Sequence, residues 1–246
     1  MSAQAATLRQ RVQLGAALYQ QRLAQIAAAL SARGVDGVLL LDAANVMWAT
    51  GFFHIPNERP LGVYIAADGT APIFMVPFLE KENAEEQWGG EIRCYLEFPG
   101  EVQAQVWMMQ QIAADRITVD SVSHPVFEAM RSAKPHLAID AVVVPLRYLK
   151  DETELALIEL AAGYADYGQV IARQAVADGL AAGITELDVV QIVQQETTAK
   201  MRRELEELIN FYRGAVALTA HAGARGALPH GQPGPVAIQP GDTLIV

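Results

Sequence analysis

Apolar positions repeat along this chain with two periods, and the alternation between them predicts its architecture. Val12, Ala16, Tyr19, Leu23, Ile26 and Leu30 recur at helical spacing, and Gly34 ends the run. The sequence "VDGVLLL" that follows is a short apolar, β-branched run bounded by glycine and by the polar "DAAN", which predicts a buried strand. Strands are predicted again at "LGVYIA", "PIFMV" and "IRCYL", with Asp68-Gly69 turning a hairpin between the first two. A helix is expected around Phe78 to Gln87, a second from about Gln103 to Ala114 and a third from Ser123, with strands at "ITVD" and "LAID". Helices alternating with strands define an α/β (α+β) unit with helices packed on a mixed sheet.

The pattern changes at "VVVPLRYLKDETELALIEL", where Pro145 interrupts the apolar run. Asp151 and Glu154 then have the spacing of a helix cap and its N3 carboxylate. Two domains are expected, 1–146 and 147–246. In the second, a long helix runs to about Asp178, "GLAAG" turns the chain, and Thr185 with Asp188 opens another helix. Met201, Leu205, Leu208 and Tyr212 share one face of that helix. Lys200, Arg202 and Arg203 precede Glu204, Glu206 and Glu207 by four residues, the weaker orientation for pairing, and read as a solvated face. A strand at "AVALTA", the loop "GARGALPHG", a short strand around "PVAI", a type II turn at "QPGD" and a buried strand "TLIV" complete the chain.

Charge and cysteine content narrow the partners. A net charge of −10 over 246 residues argues against a phosphate-binding surface, so nucleic acid is a poor partner. The single cysteine, Cys94, cannot close an internal disulfide, which allows a reducing compartment. No apolar run has the length of a membrane span, and the reading is a soluble, cytoplasmic protein without a membrane partner. Arg9, Arg11, Arg22 and Arg33 without an acidic residue have the composition of a presequence, but the helical stripe running into a strand assigns this segment to the fold.

Motifs for serine hydrolases, P-loops, dinucleotide sites, zincins and Cys-x-x-Cys centres are all missing from the sequence. Among the five histidines, His124 and His136 read as a helix start and a loop residue. His230 has chemistry-bearing surroundings: Pro229 restricts the backbone before it, Gly231 follows, and Gly223 and Gly226 let the loop approach a ligand closely. An imidazole there can act as acid, base or donor to a developing oxyanion. His221 could line the same cleft or be a plain strand-end histidine. His54 and Arg59, with Glu58, lie in the aromatic, proline-bounded loop "TGFFHIPNERP", where a rim or dimer contact and substrate binding both fit.

The series "LRYLKDETELALIELAA", "GITELDV" and "GARGALPHG" leading to "IQPGDTLIV" resembles the opening of the catalytic domain of the pita-bread metallohydrolases. That family contains Xaa-Pro aminopeptidases, prolidases and creatinase, and "GVDGVLLLDAANVMWATGFF" is similar to its creatinase-type N-terminal domain. The resemblance covers roughly residues 20 to 246. It implies a homodimer that cleaves X-Pro bonds in proline-containing peptides with two divalent ions, Mn, Co or Zn, held by two aspartates, a histidine and two glutamates. It also implies that the chain stops one residue before the first metal aspartate, so that no metal ligand is expected in it. On this reading the 246 residues are a fragment, inactive alone, with a pita-bread domain that is incomplete. His230 matches the family histidine that contacts the scissile carbonyl or shuttles a proton; no role passes to His221 or Arg225 from the resemblance. A creatinase-like hydrolase or lyase of small molecules, and a catalytically dead interaction module, are the other readings of the same fold.

Overall fold

The computed structural model describes residues 11–12, 14–98, 100–205, 216–228 and 230–246. They fall into two compact units, one spanning Leu14–Lys150 and the other containing residues 151 to 246, to which Arg11 and Val12 also belong.

In the first unit, helix α1 (Ala16–Arg33) begins after Gly15 and ends at Gly34, whose φ of 67° lies in the left-handed region where glycine carries no steric cost. Val12, the first member of the predicted stripe, is not in this helix and packs against Ala156 and Leu160 of the second unit's own core. The sheet is built from β1 (Gly37–Leu40), β2 (Gly62–Ala66), β3 (Ile73–Pro77), β4 (Glu91–Tyr95), β5 (Ile117–Val119) and β6 (Ala138–Ile139). Among the described residues these six strands pair in the order β4-β3-β2-β1-β5-β6. β1–β2 and β2–β3 are antiparallel, the latter across the predicted Asp68-Gly69 turn, where Gly69 has φ 80°. β3–β4, β1–β5 and β5–β6 are parallel, so the sheet is mixed. Every residue of β1 and β2 is buried, as continuous apolar runs require when both faces are covered.

One side of the sheet packs Val38, Leu40, Val63, Ile65, Phe74 and Val76 against Ile26 and Leu30 of α1. The other side packs Leu39, Tyr64, Met75 and Ile117 against Met108, Met109 and Met130. Those methionines come from α4 (Ala104–Gln110) and α5 (His124–Ala133), α4 being shorter than the Gln103 to Ala114 pattern predicts. A 3-10 turn at Phe78–Glu80 leads into α3 (Lys81–Gln87), together filling the predicted helix at Phe78 to Gln87.

Two helices depart from the sequence reading. "DAAN", read as a polar boundary, opens α2 (Ala43–Thr50), capped by Asp42, whose carboxylate accepts from Asn45 N at 2.9 Å. "VVPL", read as strand broken by Pro145, forms the single-turn helix α6 (Val143–Leu146). Asp120, at the end of β5, ties this corner together by accepting from Leu41 N (2.8 Å) and Asn45 Nδ2 (2.8 Å). Arg147 in turn donates to Asn45 Oδ1 at 2.7 Å.

The second unit rests on α7 (Glu152–Gly179) and α8 (Glu186–Leu205). The predicted capping box is present at α7: Glu154 N donates to Asp151 Oδ1 at 2.8 Å and Asp151 N to Glu154 Oε2 at 2.9 Å. At α8, Asp188 N donates to Thr185 Oγ1 (3.2 Å) and Thr185 N to Asp188 Oδ2 (2.9 Å). Gly168 lets the helices approach, since a Cβ there would sit 3.4 Å from Val193. Glu204 corrects the solvated-face reading: it is buried and accepts from Tyr164 Oη at 2.9 Å and Lys200 Nζ at 2.6 Å. Leu208, Tyr212, Glu206 and Glu207 lie outside the described residues.

The strand predicted over "AVALTA" is displaced toward the chain end. The ladder is β7 (His221–Ala222), antiparallel to β8 (Leu244–Ile245). "PVAI" makes a single bridge, Ala237 to Thr185. The "QPGD" turn forms as predicted, with Asp242 N donating to Gln239 O at 3.0 Å and Gly241 at φ 91°. "TLIV", predicted as buried, is only partly so, Ile245 being 46% exposed, because among the described residues β8 pairs on one side alone.

Candidate functional site

The loop that carries His230 leaves β7, passes a 3-10 turn at Gly223–Ala227 and returns near Gly234. Its support comes from Glu186, the first residue of α8, whose side chain is wholly buried. Glu186 Oε1 accepts from Ala222 N at 2.8 Å and from Arg225 Nε at 3.0 Å. Its Oε2 accepts from Arg225 Nε at 3.0 Å and from Gly234 N at 3.1 Å. Arg225 Nη2 completes the span by donating to Gln232 O at 2.6 Å. A buried carboxylate is stable only when its lone pairs meet donors of this kind. Burial alone would raise the Glu186 pKa; the Ala222, Arg225 and Gly234 hydrogen bonds outweigh it and hold the carboxyl below the ordinary glutamate value.

A pH dependence follows from that direction. A depressed folded-state pKa stabilises the fold above the ordinary glutamate value, and the contribution is lost as pH falls through the lowered value. Amide exchange in 222–234 is therefore expected to accelerate, beyond the intrinsic pH trend, in that acidic window, and before exchange in α7 does. Hydrogen–deuterium exchange across an acid series measures it; simultaneous loss of protection everywhere would count against a local effect.

His221 sits inside the loop's base, 2% exposed. Its Nε2 lies 2.7 Å from Gly231 O and 3.2 Å from Thr219 Oγ1. A carbonyl oxygen can only accept, so Nε2 carries the proton and donates to Gly231. Gly231 is required there: a Cβ would meet His221 Nε2 at 2.9 Å and Leu228 Cβ at 3.2 Å. His230, the residue before it, is exposed. One histidine is thus used to fasten the loop, while the next presents its ring to solvent. Pro229 lies outside the described residues.

His54 and Arg59 belong to the other unit, in the segment between α2 and β2. The His54 ring lies 6.1 Å from that of Phe52. Arg59 pairs with Glu58 at 2.7 Å and approaches Glu97 at 3.9 Å, while Tyr95 Oη donates to Pro60 O at 2.8 Å. These contacts pin the loop to the end of β4. The structure therefore places His221 and His230 in one unit, and His54 and Arg59 in the other. His124 starts α5, and His136 Nδ1 is 2.8 Å from Asp115 Oδ2.

Sequence reasoning passed over Glu186, because it stands between Thr185 and Asp188 and those two account for the helix start. The signal that could have found it is Arg225: an arginine in a glycine-rich loop needs a planar acceptor, and a carboxylate in a helix's first turn supplies one.

Among the described residues no group of three or more histidine, cysteine, aspartate or glutamate side chains could hold a metal ion. The carboxylates bordering the loop are already engaged, Glu186 as above and Asp242 by Gln239 N at 2.9 Å. These residues do not fit a two-metal centre. Among the described residues, no helix is long and apolar enough to cross a membrane.

A mixed sheet of this order, followed by two capped helices and a glycine-rich histidine loop, defines a class. Residues 22–148, more than half of the chain, match the creatinase/prolidase N-terminal domain, and the chain belongs to that family. Among its relatives is the Xaa-Pro dipeptidase of Pyrococcus furiosus, 24% identical over 228 residues that cover 92% of this chain and 60% of that protein. Its fold is that of the dipeptidase PepE from Mycobacterium ulcerans (TM-score 0.68, 21% identity, 93% of this chain and 59% of that one). The prolidase from Pyrococcus horikoshii matches similarly, with a TM-score of 0.67 and 19% identity over 91% of this chain and 59% of that one. The family and the mixed α/β fold are thus those expected from the resemblance. The chain spans about 60% of the length of the curated relatives it matches.

Proposed function

We propose that this chain serves an Xaa-Pro peptidase of the prolidase type, with His230 as the residue that meets the scissile carbonyl. In this reading 1–146 is the creatinase-like N-terminal domain and 147–246 belongs to the catalytic domain, and the enzyme is a cytoplasmic homodimer. The observation that carries it is the loop of His221, His230 and Gly231, in which one buried imidazole fixes the backbone so that the neighbouring one faces outward. The likeness to Xaa-Pro dipeptidases over nine-tenths of the chain supports the same substrate class. An exposed imidazole on a fastened loop can donate a hydrogen bond where negative charge develops on a carbonyl oxygen. His54 and Arg59 are read as substrate-end or rim contacts. The two divalent ions that the family resemblance implies would supply a hydroxide nucleophile and a Lewis acid; they are assigned to no residue of this chain.

The test is hydrolysis of an Xaa-Pro dipeptide by the complete product of the encoding gene, with Mn, Co or Zn added in turn and creatine as the competing substrate. Turnover of the dipeptide and not of creatine is expected. Creatine turnover instead would assign a small-molecule hydrolase, and no turnover of either, with no metal bound by calorimetry, would leave the interaction module as the better account.

A further inference from the structure

We propose that Glu186 is a positioning residue for His230, a single buried carboxylate that fastens both ends of the loop carrying it. The inference rests on the reading of His230 given above and adds a residue to it. Its basis is where the four bonds land. Ala222 N is the first residue of the loop and Gly234 N the last, and both donate to the same carboxylate, one to each oxygen. Arg225 bridges the middle, taking Glu186 with Nε and Gln232 O with Nη2. The backbone repeats the tie, since Leu187 N donates to Gly234 O at 3.1 Å and Glu186 N to Val236 O at 3.1 Å. The exposed histidine is therefore carried by a closed strap whose start, middle and end converge on the rigid first turn of a 20-residue helix.

The geometry asks specifically for glutamate. All the partners are N–H donors, so the acceptor must offer lone pairs on both oxygens. Glutamine is nearly isosteric but turns one oxygen into an NH2 group, which would face Arg225 Nε or Gly234 N donor to donor. Aspartate is one methylene shorter. Neither replaces a residue that touches substrate, so their effect on turnover must pass through the placement of His230, and a misplacement of about 1 Å can cost on the order of 10²-fold in rate.

The experiment has two arms. On the 246-residue chain, hydrogen–deuterium exchange compares wild type with Glu186→Gln. Faster exchange confined to 221–234, with α7 and β1–β3 unchanged, is expected, whereas unchanged protection in the loop overturns the strap. On the complete gene product, Glu186→Gln, His230→Ala and the double variant are assayed on an Xaa-Pro dipeptide. Glu186→Gln is expected to lower kcat about tenfold or more with KM little changed. In the His230→Ala background it should cost less than about twofold, because the group it positions is gone. Equal losses in both backgrounds would mean that Glu186 merely supports the fold, and would sink the proposal. If His230→Ala leaves turnover unaltered, or no dipeptide is cleaved, the peptidase reading of His230 fails by itself, and the exchange arm alone decides whether Glu186 holds the loop.

Discussion

Replacing His230 by alanine is expected to lower kcat for an Xaa-Pro dipeptide about 10²- to 10³-fold in the complete gene product, the loss that follows removal of one donor to a developing oxyanion. The expectation comes from exposure and anchoring together. His230 faces solvent, so its ring is available to a substrate, and Gly231 beside it is held to His221 Nε2 at 2.7 Å, so its backbone does not drift. A donor that engages the carbonyl oxygen mainly as charge builds up contributes to the transition state more than to substrate binding. KM should therefore change little while kcat falls. His230→Gln, which keeps an N–H donor but cannot shuttle a proton, separates two roles: partial rescue assigns oxyanion stabilisation, and no rescue assigns proton transfer. A fall of less than about threefold in kcat/KM for His230→Ala would remove the histidine from the chemistry.

The two units differ in how much of them the sequence reveals. In the first, β1 to β3 are legible because uninterrupted apolar runs such as "GVLLL" and "GVYIA" can be satisfied only by burial on both faces, and the structure buries every residue of β1 and β2. The second unit's helices are legible from their caps, since Asp151 with Glu154 and Thr185 with Asp188 encode starts through hydrogen bonds that need no tertiary partner. What escaped are elements too short for periodicity. Helix α2 offers a single Asp42 cap and two turns of mixed residues, and "AVALTA" has strand composition although the ladder forms just beyond it, at His221–Ala222. The site divides along the same line. His230 is flagged by its glycine neighbours, whereas the Glu186 to Arg225 pair joins positions 39 residues apart, a relation that no local pattern contains. Glu204 shows the converse error: the spacing marked it as surface, yet it is buried, accepting from Tyr164 and from the half-buried Lys200.

Phe74→Ala is expected to be the most damaging single change to the first unit, at about 3–5 kcal/mol. Phe74 lies on β3 with no exposed surface, and its ring stands 5.3 Å from Phe52 at 65° and 4.4 Å from Trp88. Truncation removes the transfer free energy of the ring and leaves a cavity walled by strands and by two aromatic rings, which cannot close without moving the sheet. Domains of this size have only about 5–15 kcal/mol of stability, so the loss is a large share of the whole. The chain supplies its own probe: its three tryptophans, Trp48, Trp88 and Trp107, all fall in the first unit, so fluorescence follows that unit without contribution from the other. Urea titration by tryptophan emission should show a midpoint lower by on the order of 2 M for Phe74→Ala. Leu149→Ala serves as the control, because Leu149 is 87% exposed and its truncation should stay within about 0.5 kcal/mol. If the two variants unfold at the same urea concentration, the cluster of Phe52, Phe74 and Trp88 is not where this unit's stability resides, and the core on the α4 and α5 side of the sheet must carry it.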